Sequence, residues 1–141
     1  MLLLLRGSGG DVVSAVIPHR ESMTVEFKSD ASPIGDDELL AAMVCMANAD
    51  GGATYLGIED NGRVTGLSPK HQNLTGLAAM IAARTIPPLA VRVSGIPRDD
   101  GIVAKIEVPK STRVVATSRG LVTRRRIQAD GTPECVPYYP H

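Results

Sequence analysis

Residues 46–67 read MANADGGATYLGIEDNGRVTGL, and the order of residue types in this stretch decides the fold. An apolar helical run stops at Gly51-Gly52, the residue type that ends helices by tolerating a left-handed backbone. ATYLGIED (53–60) then reads as a central strand. It closes on Asp60-Asn61-Gly62, a tight-turn signal. RVTGL (63–67) returns as a short strand.

Upstream, the segment 32–52 opens with Asp36, Asp37 and Glu38, charges that suit a helix N-terminus. Leu39, Leu40, Met43, Val44, Met46 and Ala47 cover most of the helix circumference, so this helix is expected to be buried on more than one side. Further upstream, ESMTVEFKSD (21–30) contains an alternating strand. Val25 and Phe27 point one way, and Thr24, Glu26 and Lys28 the other. Glu21 is at odd spacing from Glu26, so the two carboxylates converge only if the chain turns around Ser22 and Met23.

Downstream, Ser68-Pro69 reads as a helix cap and first turn. Leu74, Leu77 and Ile81 form the apolar face, and Pro87-Pro88 end the helix. LAVRVSGI (89–96) and IVAKIEV (102–108) alternate and are joined by PRDDG, which predicts a hairpin. VVATSRGLVTRRRI (114–127) reads as a second hairpin turning near Ser118-Arg119-Gly120. The expected order is β-α-β-β-α-β-β plus a final hairpin: an α+β fold, a mixed sheet with two main helices. Residues 1–17 are expected as a flexible lead, 18–127 as the domain, and 128–141 as a proline-rich arm or linker.

The 141 residues fit one domain, which at this size buries about 68–70% of its unfolded surface and needs no staples. Cys45 sits in the apolar helix and is expected to be a small core residue. Nothing in the cysteine spacing suggests zinc or a disulfide framework, so a reducing, cytoplasmic setting is expected. MLLLLR is too short to span a membrane or to form a signal core. Aromatics are scarce, with one Phe, three Tyr and no Trp. His19, His71 and His141 are scattered and read as surface residues, and Asn48 is expected to bond backbone near the glycines.

Net charge is zero but unevenly spread. Between Glu21 and Asp60, nine acids face one base, Lys28. From Val108 to Ala129 there are six bases (Lys110, Arg113, Arg119, Arg124, Arg125, Arg126) and no acid. Such a block permits a phosphate-binding patch, whereas the neutral total argues against nonspecific coating of polyanions. No Walker-type loop is present, so no nucleotide cofactor is supported.

Taken together, Glu21, Glu26-Phe27-Lys28, Ala47-Asn48 with Gly51-Gly52, Gly57-Ile58-Glu59-Asp60 and Gly66-Leu67 resemble the Schlafen-type Alba-like (divergent AAA-associated) domain of bacterial transcriptional regulators. The resemblance covers roughly residues 18–127 and implies nucleic-acid binding, to DNA or RNA. In Schlafen members that cut RNA, the matching acids form the catalytic set, so it implies catalytic and metal-binding roles for Glu21, Glu26 and Asp60, with Lys28 beside them. The family's aromatics before the late arginine strand are missing here, although Arg124–Arg126 keep that strand basic. Chemically, three carboxylates near a phosphate need a cation between them, and hard oxygen ligands suit Mg2+ or Mn2+, which would activate water and offset charge on a phosphodiester. The plainer reading makes Glu26 and Lys28 polar-face residues of a strand and Asp60 a turn former. The leading expectation is a nucleic-acid-binding domain of a prokaryotic transcriptional regulator, acting as a homodimer away from membranes. A metal-dependent endoribonuclease and a dimerisation module for a C-terminal effector stay open beside it.

Overall fold

The computed structural model describes residues 16–139 and the backbone of two short strands before them. In chain order the elements are β1 (Arg6–Gly7), β2 (Gly10–Val12), β3 (Val25–Lys28), α1 (Asp36–Ala47) and β4 (Gly52–Leu56). After a 3-10 turn at Pro69–His71 come α2 (Leu74–Ala83), β5 (Thr85–Ile86), β6 (Arg92–Arg98) and β7 (Gly101–Val108). The chain closes with β8 (Ala116–Thr117), β9 (Thr123–Ile127) and β10 (Pro133–Pro137). The result is an α+β fold around a six-stranded mixed sheet of order β1-β2-β6-β7-β4-β3. Of the lead, β1 and β2 extend the sheet edge beside β6; the rest of residues 1–15 lies outside the described residues. Among the described residues no helix is long and apolar enough to cross a membrane.

The all-round apolar surface of α1 has its counterpart in the packing. Every residue from Leu39 to Ala47 except Ala41 is buried. The helix packs against β4 and β7 of the main sheet and also against β8, β9 and β10. Full burial of a Leu or Met side chain contributes about 1.5–3 kcal/mol, so Leu39, Leu40, Met43 and Met46 anchor the larger core cluster. A smaller cluster of Phe27, Tyr55, Ile58, Ile96 and Val103 forms a second core. Val25 and Phe27 belong to it, as their alternation with Glu26 predicts.

Gly52 lets α1 and β4 meet β3 closely. A Cβ there would stand 2.2 Å from the Thr24 carbonyl oxygen, and the neighbouring Ala53 amide donates to that same oxygen at 2.9 Å. β4 stops at Leu56 because Gly57 turns to φ +104 against the backbone of Gly66. RVTGL consequently forms no strand: Ile58 and Val64 make a single bridge, and the Thr65 and Gly66 amides both donate to the Gly57 carbonyl.

Four expectations are corrected. The second helix does not begin at Ser68-Pro69, whose turn is 3-10 with no cap bond from the Ser68 side chain. Asn73 caps α2 instead, accepting from the Gly76 amide at 3.0 Å. The stretch 114–127 turns where expected, with the Gly120 amide donating to the Thr117 carbonyl. Its two arms do not pair, because β8 pairs with β5 and β9 with β10. The segment read as a proline-rich arm therefore supplies a strand, β10, with prolines at both ends. Prolines are tolerated there because β10 is an edge strand. Finally, Cys45 is a buried core residue and also forms a disulfide with Cys135 across 90 positions, joining α1 to β10. The inference from cysteine spacing to a reducing compartment loses its basis, since disulfides persist in oxidising ones.

Candidate functional site

The turn demanded by the odd spacing of Glu21 and Glu26 is present. Ser22 and Val25 bond each other's backbone across Met23 and Thr24. Glu21 is thereby folded back onto β3, where its Oε2 accepts from the Phe27 amide at 2.9 Å. Its carboxyl also shares a hydrogen bond with Glu26. Burial first, then that bond and the neighbouring charge of Glu26, push Glu21 up to about 7, against the opposing pull of the Phe27 amide and Arg125.

The polar side of β3 is not open to solvent at Glu26. Three consecutive arginines on β9 must alternate. Arg125 turns inward and is 2% exposed, while Arg124 and Arg126 point outward. The Arg125 guanidinium pairs with Glu26 Oε2. It also donates from Nε and Nη2 to the Ser22 carbonyl, at 3.0 and 2.8 Å, and from Nη2 to the Val25 carbonyl at 2.8 Å. One side chain thus fixes both the turn carrying Glu21 and the start of β3. Lys28 reaches Glu38 of α1 at 3.9 Å.

Asp60 lies exposed in the turn after β4. Its neighbour Glu59 accepts from the Thr65 hydroxyl at 2.7 Å, and that bond, followed by one from Ser29, holds the Glu59 carboxyl below the ordinary range. Among the described residues no three His, Cys, Asp or Glu side chains are grouped so that they could hold a metal ion. The donor chemistry explains why Glu21, Glu26 and Asp60 do not fit Mg2+ or Mn2+. The Arg125 guanidinium stands where a cation would bind Glu26, and Glu21 is engaged by an amide and a carboxyl partner. Hard cations need free carboxylate oxygens.

The predicted basic residues divide by role. Arg125 is structural. Arg119 pairs with Asp37 at 3.3 Å and Arg126 with Glu134 at 2.7 Å, both on the surface. Lys110 and Arg113 are exposed. Arg124 lies over the Tyr138 ring, 5.5 Å from its centre. A cavity of about 430 Å³ opens beside this pair, lined by Met23, Arg124–Ile127 and Val136–Tyr138.

Two polar residues prove more important than their sequence context suggests. Asn48 bonds far from the glycines: it donates to the Val115 and Thr123 carbonyls at 2.8 and 2.9 Å and accepts from the Val115 amide. It therefore ties the end of α1 to the start of β9. His71 is buried rather than on the surface, with Nδ1 at 2.9 Å from Asp30. Asp30 also accepts from the Ile34 and Ser68 amides at 2.9 and 2.7 Å. Burial alone would raise the Asp30 carboxyl, but these two amides and His71 outweigh it and hold it below the ordinary range. His19 is exposed as expected, and His141 lies outside the described residues.

Known proteins share this arrangement of elements. The crystal structure of the DIP2311 protein from Corynebacterium diphtheriae aligns over 94% of the chain at TM-score 0.66 and 23% identity. The chain spans only 24% of that protein's length. The solution structure of the N-terminal domain of a RecG-related protein from Nitrosomonas europaea aligns over 86% of the chain and 88% of its own, at TM-score 0.58 and 25% identity. No curated protein matches. The family model "Schlafen, AlbA_2" matches residues 21–131, from the first glutamate through the arginine strand to the turn beyond it, and the chain belongs to that family.

Proposed function

We propose that this chain is a nucleic-acid-binding domain of a prokaryotic transcriptional regulator, and that it contacts phosphates through β9 and the basic segment before it. The observation that carries this is the split of the arginine triplet. Arg125 is used inside, and it holds Arg124 and Arg126 outward on a strand that Asn48 fastens to α1 directly and that the Cys45–Cys135 disulfide fastens through the paired strand β10. Arginine held this way meets a phosphate without first being ordered. Lys110 and Arg113 add exposed charge from the same acid-free stretch. The similarity to a domain of a protein related to the DNA helicase RecG supports the same class of ligand. A two-fold pair of such domains would double the basic surface.

A metal-dependent ribonuclease is the weaker reading, because Arg125 already pairs with Glu26, and burial beside Glu26 pushes Glu21 up to about 7. The test is a salt titration of binding to a labelled oligonucleotide. Replacing Arg124 and Arg126 together with Ala should weaken binding to all sequences alike. It should also flatten the dependence of log affinity on log salt by roughly 1.8, at about 0.9 for each duplex phosphate that the protein no longer neutralises. An unchanged slope would remove β9 from the interface.

A further inference from the structure

The cavity beside the Arg124–Tyr138 stack carries a more specific inference. We propose that it receives one unpaired nucleotide, with the base against Tyr138 and Met23 and the phosphate against Arg124 and Arg126. The inference rests on the nucleic-acid reading and names the form of ligand: a single strand or an extruded base rather than an intact duplex.

The lining has two chemical halves. Met23, Ile127 and Val136 are apolar, and Tyr138 adds an aromatic ring. The remaining charge is cationic, and among the described residues no carboxylate lines the cavity. A nucleotide presents the matching pair of surfaces, a flat apolar base and an anionic phosphate a short distance away. The cavity volume, about 430 Å³, lies within the range of about 300–1,000 Å³ typical of small-ligand sites. Arg124 already lies over the Tyr138 ring, and both aromatic rings and guanidinium planes are surfaces on which bases stack. Arg126 currently shares its charge with Glu134 at 2.7 Å. That pair is at the surface, where ion pairs are weak, so a phosphate competes for the guanidinium at little cost.

The walls are also held in place before any ligand arrives. Met23 sits in the turn whose carbonyls Arg125 binds from behind. β10 is joined through Cys135 to α1, and the Tyr138 amide donates to the Val122 carbonyl at 3.0 Å. A base within a duplex enters only if it is flipped out, which costs a few kcal/mol of stacking and pairing.

Binding is measured by fluorescence anisotropy with a labelled single-stranded oligonucleotide and with a fully paired hairpin of the same length. Tyr138→Ala should weaken single-strand binding about 5- to 150-fold, the span reached by one base–aromatic stack, and leave duplex binding within twofold. Tyr138→Phe, which keeps the ring, should bind like the parent. Met23→Glu places an anion in the cavity and should reproduce the single-strand loss, so the test stands even where Tyr138→Ala fails to fold. Equal losses for single strand and duplex in Met23→Glu, or none for either, would overturn the cavity assignment while leaving the broader function intact. Failure of the parent protein to bind any oligonucleotide would overturn the nucleic-acid reading itself.

Discussion

Strand β3 has a buried carboxylate near each end, and the two are held in different ways. Glu26, inside the strand, meets the permanently charged Arg125 from 99 positions away. Asp30, just beyond the strand, meets two backbone amides and the imidazole of His71, 41 positions away. The first pair ties the sheet to the β9–β10 hairpin, and the second ties the end of β3 to the turn before α2. Two acids of the acid-rich half of this chain therefore act as tethers. With a guanidinium beside it, the Glu26 carboxylate joins two parts of the fold.

The comparison breaks most severely at Arg125. Arg125→Met strands Glu26 without its cation and removes the donors to the Ser22 and Val25 carbonyls. Losing one partner of a buried pair costs about 3–5 kcal/mol, to be read from urea unfolding. Arg125→Lys should recover little, because an ammonium cannot reproduce the fork that spans three acceptors. The double change Arg125→Met with Glu26→Leu should recover much of the loss, because no buried charge is then left unpaired. A loss below about 1 kcal/mol for Arg125→Met would show that the hairpin is held by the disulfide and the Asn48 bonds instead.

The opposite end of β3 should break more gently. Asp30→Ala deprives two amides and the His71 ring of their acceptor, at about 1–3 kcal/mol for a buried donor left unsatisfied. The total is expected near about 2 kcal/mol, since a loosened turn admits water to the amides. The contribution of Asp30 also has a definite pH sense. Its carboxyl lies below the ordinary range when folded, so its stabilisation is complete above the ordinary aspartate range and is lost as pH falls through the depressed value. An Asp30→Asn variant should lack that acid-side decline, and a decline of unchanged steepness would assign it to other carboxylates.

Much of this arrangement is legible in the sequence. The stop of α1 ahead of Gly51-Gly52, the strand after it and the bend before Thr24 all follow from short-range signals: breakers, period and parity. Arg125 is legible in part, because three arginines in a row on a strand must split two and one. That the single one faces inward depends on where β9 packs, which local pattern does not contain. β10 is hidden by its prolines, although Asp130-Gly131 before it is a hairpin signal of the same kind as Asn61-Gly62. His71 gives no signal, since its burial comes from an aspartate far along the chain. The disulfide is hidden because two cysteines 90 positions apart carry no framework pattern.

The smallest expected effect sharpens the comparison at Glu21, whose carboxyl is pushed upward to about 7. Between its ordinary value near 4.5 and about 7, the folded protein keeps a proton that the unfolded chain has released. This contribution to stability is therefore full below the ordinary value and falls as pH rises through that window, opposite in sense to Asp30. Glu21→Gln mimics the protonated form: its amide oxygen still accepts from Phe27 and its amide nitrogen still donates to Glu26. The variant should be more stable than the parent above about pH 7, by on the order of 1 kcal/mol given the partial exposure of the site. The difference should shrink toward zero as the pH falls to the ordinary glutamate value. Urea midpoints for both proteins across that range decide it. Parallel curves would mean that Glu21 carries no proton at neutral pH, and its carboxylate would then be free to act beside Glu26 as the ribonuclease reading requires.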